Sequence, residues 1–164
     1  MEKTEGEETG EEGEMKEKAD LEGLHFIYPA LPIEDLAPEL RAALPRYKGD
    51  EARLERLRAL GYPAIDPILP HLMTWLQDMN WPIAGRVATL LIPIGRPLLP
   101  HIHRVLQGDD DLWKYRVLGY LVKHLESDVI AELRDDLVEI SRHEDPEEAY
   151  ALAGEILEHL RESS

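Results

Sequence analysis

The chain has 164 residues, no cysteine, and a formal net charge of −16 from 34 acidic and 18 basic residues. This length suits one domain with one hydrophobic core, and the lack of cysteine excludes disulfides and thiolate metal sites. Because nucleic-acid binding needs clustered Lys and Arg, the charge argues against nucleic acid and anionic membranes and favours a basic protein partner. Neither a signal segment nor an apolar run of about 20 residues is visible, so we expect a soluble, cytoplasmic protein.

The N-terminal part of the chain differs in composition from the rest. Residues 1–23 hold ten acids and three bases, a net charge of −7 that leaves −9 on the remaining residues. This tail is poor in apolar residues, so burial cannot offset the entropy lost on ordering, and we predict that it is disordered. Residues 24–49 are predicted to be an N-terminal extension with a short helix around Glu34 to Leu44, in a stretch punctuated by prolines.

Regular helical signals begin at Asp50. Asp50 is predicted to be the N-cap of a helix over 51–60, which Gly61 ends. Pro67 and Pro70 lie in the first turn of a helix running to about Gln77, where a missing amide donor costs little.

Five further helices follow, and no run of residues alternates as a strand would. They are predicted at about 81–92, 97–107, 112–124, 128–142 and 146–161. Asn80 is the predicted N-cap of the first of them, and Asp145 with Pro146 forms a predicted N-cap and N1 pair for the last.

An internal repeat connects these helices. One eight-residue pattern starts at Val87, Leu118 and Ala153: apolar, small, any residue, apolar, apolar, any, any, apolar. In addition, Leu-Pro-His recurs at 69–71 and 99–101. Because a glycine inside a helix costs about 1 kcal/mol relative to alanine, the small position predicts close approach of a neighbouring helix. We therefore predict that residues 50–164 form an all-α fold, a short right-handed α-solenoid of about three HEAT/armadillo-like helical hairpins with an N-terminal cap.

Three segments carry a resemblance to a known group of proteins. They are PAIDPILPHLMTWLQDMNWPIAG at 63–85, PLLPHIHRVL at 97–106 and DDDLWKYRVLGYLVKHL at 109–125, of which QDMNWP and DDLWKY are the most specific parts. From about Leu44 to the C-terminus the chain resembles a small family of bacterial domains of unknown function with a HEAT-like helical fold. The resemblance implies a fold without an established activity and carries over no catalytic residue.

Two predicted turns inside successive hairpins share a polar and aromatic character. In one interpretation, Trp81 and Trp113 cover the end of the core while the acids cap helices. In the other, the turns form a ledge that anchors a basic partner. The ledge residues are Gln77, Asp78, Asn80, Trp81, Asp109, Asp110, Asp111 and Trp113.

Other polar groupings suggest weaker alternatives. Arg86, Arg116 and Lys123 lie off the apolar stripe and form a candidate strip for an anionic ligand, although charges on a polar helix face commonly pair with nearby acids. His101 and His103 are two apart on a helix and point in different directions, so we predict no metal site and no cofactor.

Signatures of catalysis are also absent from the sequence. It contains no Gly-rich phosphate loop, no G-x-S-x-G elbow and no HExxH, so we predict that the protein is not an enzyme. The leading prediction is a non-catalytic protein–protein interaction module that binds a basic partner, in one form as immunity proteins neutralise nuclease toxins. The alternative is a small-molecule or enzymatic site on the inner helical face around Arg86 and Arg116.

Overall fold

The computed structural model describes residues 32–163, and the acidic tail and residues 24–31 lie outside that range. The described residues form nine α-helices and six short 3₁₀ turns, with no strand. The helices are α1 Pro38–Ala43, α2 Glu51–Leu60, α3 Leu69–Thr74, α4 Ala84–Leu91, α5 Leu99–Leu106, α6 Asp111–Tyr120, α7 Ser127–Ala131, α8 Arg134–Ser141 and α9 Ala149–Ser163. The fold is therefore all-α.

Local signals in the sequence set the ends of α2. The carboxylate of Asp50 accepts a hydrogen bond from the backbone amide of Arg53, as an N-cap does. Gly61 ends the helix with a φ of +63°, a conformation that residues with a Cβ rarely adopt. Both predictions for this helix are confirmed.

The helices pack as successive hairpins around one continuous core. Within the hairpins, α3 leads through the 3₁₀ turn Trp75–Gln77 to α4, α5 packs on α6, and α8 packs on α9. Between hairpins, α3 contacts α5, α5 contacts α8, and α6 contacts α9, while α2 contacts both α1 and α4. The buried apolar side chains extend without a break from Leu36 to Leu160, so each hairpin is covered by its neighbours.

Of the two glycines at the small position of the repeat, one has a packing reason. A Cβ on Gly119 would lie 3.4 Å from Cδ2 of Leu152, which places the glycine of α6 against α9. A Cβ on Gly154 would meet nothing within 4 Å. Close helix approach therefore explains Gly119, whereas nothing in the described residues explains Gly154.

Two predicted helix starts were wrong. The fourth helix begins at Ala84 rather than Trp81, and residues 81–83 form a turn in which the amide of Ile83 donates to the carbonyl of Lys48. Asn80 therefore lies in the preceding turn and caps no helix.

The last helix begins at Ala149 rather than Pro146. The carboxylate of Asp145 accepts hydrogen bonds from the amides of Glu147, Ala149 and Tyr150, so the chain curls around this side chain first. Glu148 has a φ of +61°, which is incompatible with a helix running through it.

The helix predicted over 128–142 is two helices, α7 and α8, with a turn at Glu132 and Leu133. No glycine or proline lies at this break to signal it. A tertiary contact does lie there, because Arg96 of the preceding hairpin binds Asp128 at 3.1 Å and Glu132 at 2.8 Å. These two carboxylates raise the pKa of Arg96, and the hydrogen bond to Glu132 is the main cause.

Candidate functional site

The corner at residues 77–81 is fastened to the next hairpin. The carboxylate of Asp78 accepts a hydrogen bond from the amide of Asn80 at 2.9 Å and lies 3.5 Å from the guanidinium of Arg116 on α6. The same guanidinium donates to the carbonyl oxygen of Gln77. Arg116 contacts both groups and so holds the corner in place. The sequence had suggested Arg116 for an anionic ligand and Asp78 for the partner ledge, whereas the structure pairs them with each other.

The tryptophans of the predicted ledge are core residues to different degrees. Trp113 is only 2% exposed, so its ring belongs to the core and presents no surface to a partner. Trp81 is half-buried and packs edge-on against the buried ring of Trp75, with 5.5 Å between ring centroids and 73° between ring planes. The interpretation in which the tryptophans cover the core therefore describes their packing.

The three consecutive aspartates have three different environments. Asp110 is the N-cap of α6, and its carboxylate accepts from the amide of Trp113 at 2.9 Å. Asp111 lies 3.2 Å from the ammonium group of Lys114. Asp109 is exposed, and no bond of its side chain appears among the described residues. The three side chains are thus not equivalent as sites for a partner.

Asp109 and Asp111 lie on a groove that sequence reasoning did not anticipate, here called the acidic groove. It has a volume of about 840 Å³ and lies between the α5–α6 turn, α8 and the loop before α9. Seven carboxylates and one lysine line it, together with His103 and His143. The carboxylates belong to Asp109, Asp111, Asp135, Asp136, Glu139, Glu144 and Asp145, and the lysine is Lys114.

Side-chain pairs partly organise the acidic groove. Nδ1 of His103 on α5 lies 2.6 Å from Oδ2 of Asp136 on α8, and this pair joins two hairpins across the groove. Nε2 of His143 lies 3.0 Å from Oε1 of Glu139. Asp135 and Asp136 face the Asp109 turn across the groove, because α5 packs on α8.

The basic residues suggested for an anionic ligand do not meet. Arg86 pairs with Glu51 of α2, and Arg116 pairs with Asp78 as described above. Lys123 lines a separate cavity of about 230 Å³ with an apolar floor. The strip read from the sequence is therefore three separate positions.

Histidine and carboxylate clusters of the metal-binding kind are not found within residues 32–163. His71 is buried in α3, and His101, at the equivalent repeat position in α5, is half-buried. Partial burial lowers the pKa of His101 below its ordinary value of 6.5, and nearby Asp66 opposes this shift. These two histidines thus sit in the packing of the first helices.

The comparisons with known proteins agree with the resemblance seen in the sequence. No helix within the described part of the chain is long and apolar enough to cross a membrane. No match was found among curated proteins. Residues 43–157, from the end of α1 to the middle of α9, match the family described as "Domain of unknown function (DUF5071)". The chain therefore belongs to this family of domains of unknown function.

Proposed function

We propose that the protein is a non-catalytic helical-repeat module that binds a basic protein partner in its acidic groove. The observation that carries this proposal is the groove itself, where seven carboxylates from two hairpins and the loop before α9 face about 840 Å³ of open space. Besides the carboxylates, the lining holds Lys114, two histidines, Gln107, Gly108 and the apolar Leu106 and Ile140.

The proposed framework is a short right-handed HEAT-like solenoid. In such a fold, the first helices of successive hairpins contact one another and form one layer, and the second helices form another. Contacts of α3 with α5 and of α5 with α8 support the first layer, and the contact of α6 with α9 supports the second. This framework gives the groove its two walls, since α5 and α8 belong to adjacent units.

Electrostatics favours a cationic occupant over any other. Asp109, Asp135 and Glu144 are exposed on the groove, and no cation partner of theirs appears in residues 32–163. Like charges held close together repel one another, so an arriving Lys or Arg side chain would relieve that repulsion while gaining an ion pair. The negative charge of the remaining surface would also steer a basic protein toward the groove.

Neutralisation of a basic protein is one specific form of this function. Immunity proteins act in this way on nuclease toxins, covering a basic active surface with acidic side chains. The excess of acidic residues over the whole chain supports this form. It predicts a stable one-to-one complex whose affinity falls with salt.

The test removes three groove charges that have no structural task. We would change Asp109→Asn, Asp135→Asn and Glu144→Gln together, and leave Asp110 and Asp145 alone because they cap helices. Partners captured by the wild-type protein from host lysate would then be purified and their affinity measured for both proteins. If each exposed charge contributes about 0.2–1 kcal/mol, the triple variant should bind about 3-fold to 150-fold more weakly.

A matched variant controls for net charge. This control removes an equal number of negative charges, three, at exposed positions away from the groove: Glu34→Gln, Glu39→Gln and Glu158→Gln. The control variant should bind the partner with almost the affinity of the wild type. Binding by the wild type should weaken with added salt, which shortens the Debye length from about 10 Å at 0.1 M to about 3 Å at 1 M. Equal losses in both triple variants would leave only a general charge effect and reject the groove as the site.

A second candidate function rests on the cavity beside Lys123. Ile130, Leu152 and Ile156 form its apolar floor, and Lys123, Glu155 and His159 complete its lining. A small apolar molecule with an anionic head would bind with that head on Lys123 and away from the carboxylate of Glu155. Such a ligand would raise the melting temperature of the wild-type protein but not of Lys123→Ala. Arg86→Ala, which lies outside this cavity, is the control that should still respond.

A further inference from the structure

Two histidines of the acidic groove each contact one of its carboxylates. Nδ1 of His103 on α5 lies 2.6 Å from Oδ2 of Asp136 on α8, and Nε2 of His143, just after α8, lies 3.0 Å from Oε1 of Glu139. An ionised carboxylate only accepts hydrogen bonds, so each of these ring nitrogens must carry a hydrogen. The two contacts therefore determine which nitrogen is protonated while each ring is neutral.

The second nitrogen of each neutral ring is then an acceptor. For Nε2 of His103 and Nδ1 of His143, no partner appears among residues 32–163. Both side chains are open to solvent on the groove, His103 over 49% of its surface and His143 over 73%. Because Lys and Arg side chains only donate hydrogen bonds, these free nitrogens suit a cationic occupant while the rings are neutral.

Protonation reverses that complementarity. Histidine is the side chain that ordinarily changes its charge between pH 8 and pH 5, and its protonated ring is a donor at both nitrogens. A protonated His103 or His143 would repel an arriving Lys or Arg side chain and would itself neutralise the carboxylate that it contacts. Two of the seven carboxylates thus have a built-in competitor for a bound cation, and this competitor is charged only in acid.

The other charged groups of the groove belong to residue types that titrate outside this range, namely carboxylates and one lysine. The α5–α6 turn and α6 contribute Asp109, Asp111 and Lys114, while α8 and the loop before α9 contribute Asp135, Asp136, Glu139, Glu144 and Asp145. Helix α3 also packs on α5 and contributes no residue to the lining. A change in binding between neutral pH and mild acid would therefore point to the two histidines.

We propose that His103 and His143 make the acidic groove a pH-dependent site, which holds a cationic partner near neutral pH and releases it in mild acid. This inference rests on the proposed function, because it concerns the regulation of the same groove. Two exposed charge contacts of ordinary strength give the expected size of the effect. Affinity should be about 2-fold to 30-fold lower at about pH 5.5 than at about pH 7.5.

Peptide binding to the full-length protein at these two pH values tests the inference. The probe is a short oligo-arginine peptide blocked at both ends, because arginine keeps its charge throughout and any change then comes from the protein. The test variant, His103→Gln with His143→Gln, keeps a hydrogen-bond donor at both positions but cannot gain a proton there. The matched control, His124→Gln with His159→Gln, removes two exposed histidines that lie outside the groove.

Calorimetric titrations should show that the wild type and the matched control lose affinity in acid, while the test variant binds almost equally at both pH values. Equal losses in the wild type and the test variant would overturn the inference, and so would a wild type whose affinity does not change. Far-UV circular dichroism at both pH values checks that the helices of each protein are intact.

The triple groove variant separates this inference from the proposed function. Asp109→Asn, Asp135→Asn and Glu144→Gln should weaken peptide binding at about pH 7.5, where the histidines are mostly neutral. If this variant binds the peptide as tightly as the wild type, the groove is not the site, and the proposed function fails together with the inference. If it binds more weakly but the test variant keeps the pH response of the wild type, only the inference fails.

Discussion

Substitution of Gly119 by leucine tests the packing of the last two hairpins. A Cβ at this position would lie 3.4 Å from Cδ2 of Leu152, at the near limit of ordinary contact, so alanine fits while a longer side chain collides with α9. Overpacking of this kind costs about 1–3 kcal/mol. Leu152 is half-buried and able to turn partly aside, which places the expected cost in the lower half of that range.

Gly154 provides the matched control on the partner helix. A Cβ there would meet nothing within 4 Å, and Gly154 lies well inside α9, so leucine should stabilise the helix by up to about 1 kcal/mol through its higher propensity. Gly119 lies at the last turn of α6, where the gain from propensity is smaller. The two leucine variants should therefore differ by about 1–3 kcal/mol in the free energy of unfolding.

Thermal and urea unfolding followed by circular dichroism measure this difference. At about 2–4 °C per kcal/mol, Gly119→Leu should melt roughly 2–12 °C below Gly154→Leu. Gly119→Ala should melt within about 2 °C of the wild type, which separates crowding by the side chain from loss of backbone freedom. Equal melting temperatures for the two leucine variants would refute the helix contact at Gly119.

Three further changes probe local interactions and pH. Asp110→Ala removes the N-cap bond to the amide of Trp113 and should lower the free energy of unfolding by about 0.5–2 kcal/mol in urea titrations. Asp145→Ala leaves three backbone amides at the start of α9 without their acceptor and should cost at least as much, about 1–3 kcal/mol by the same measurement. Burial lowers the pKa of His101, so the unfolded chain takes up a proton at higher pH than the folded one. The stability that His101 contributes is therefore present above about pH 6.5 and lost as the pH falls toward its lower folded pKa. Between pH 7 and pH 5, the melting temperature of His101→Gln should fall less than that of the wild type. An unchanged pH profile in that variant would assign the acid sensitivity to other groups.

Local chemistry was enough to predict several features of this protein. Helical spacing of apolar residues predicted an all-α fold, and short-range hydrogen bonding predicted the cap at Asp50 and the end at Gly61. The family membership also follows from sequence alone, since residues 43–157 match it. Each of these features depends on residues a few positions apart or on the order of residues along the chain, and both can be read from the sequence.

Local signals failed at two helix boundaries. The helix predicted from Trp81 starts at Ala84, after a turn in which the amide of Ile83 donates to the carbonyl of Lys48, 35 positions away. The break near Glu132 coincides with a side-chain contact from Arg96 and has no glycine or proline to announce it. Both boundaries lie at contacts with residues distant in the sequence, which helix signals within a few positions do not include.

The acidic groove depends on the packing of hairpins. Asp109 and Asp135 are 26 positions apart, and they share a groove only because α5 packs on α8. Trp113, for which the sequence left open a place in the core and a place on the ledge, is buried. The sequence by itself determined which residues carry charge and which helices form. The tertiary structure decided which charges face one another, because hydrophobic burial, which is non-directional and spread over many side chains, sets how the hairpins stack.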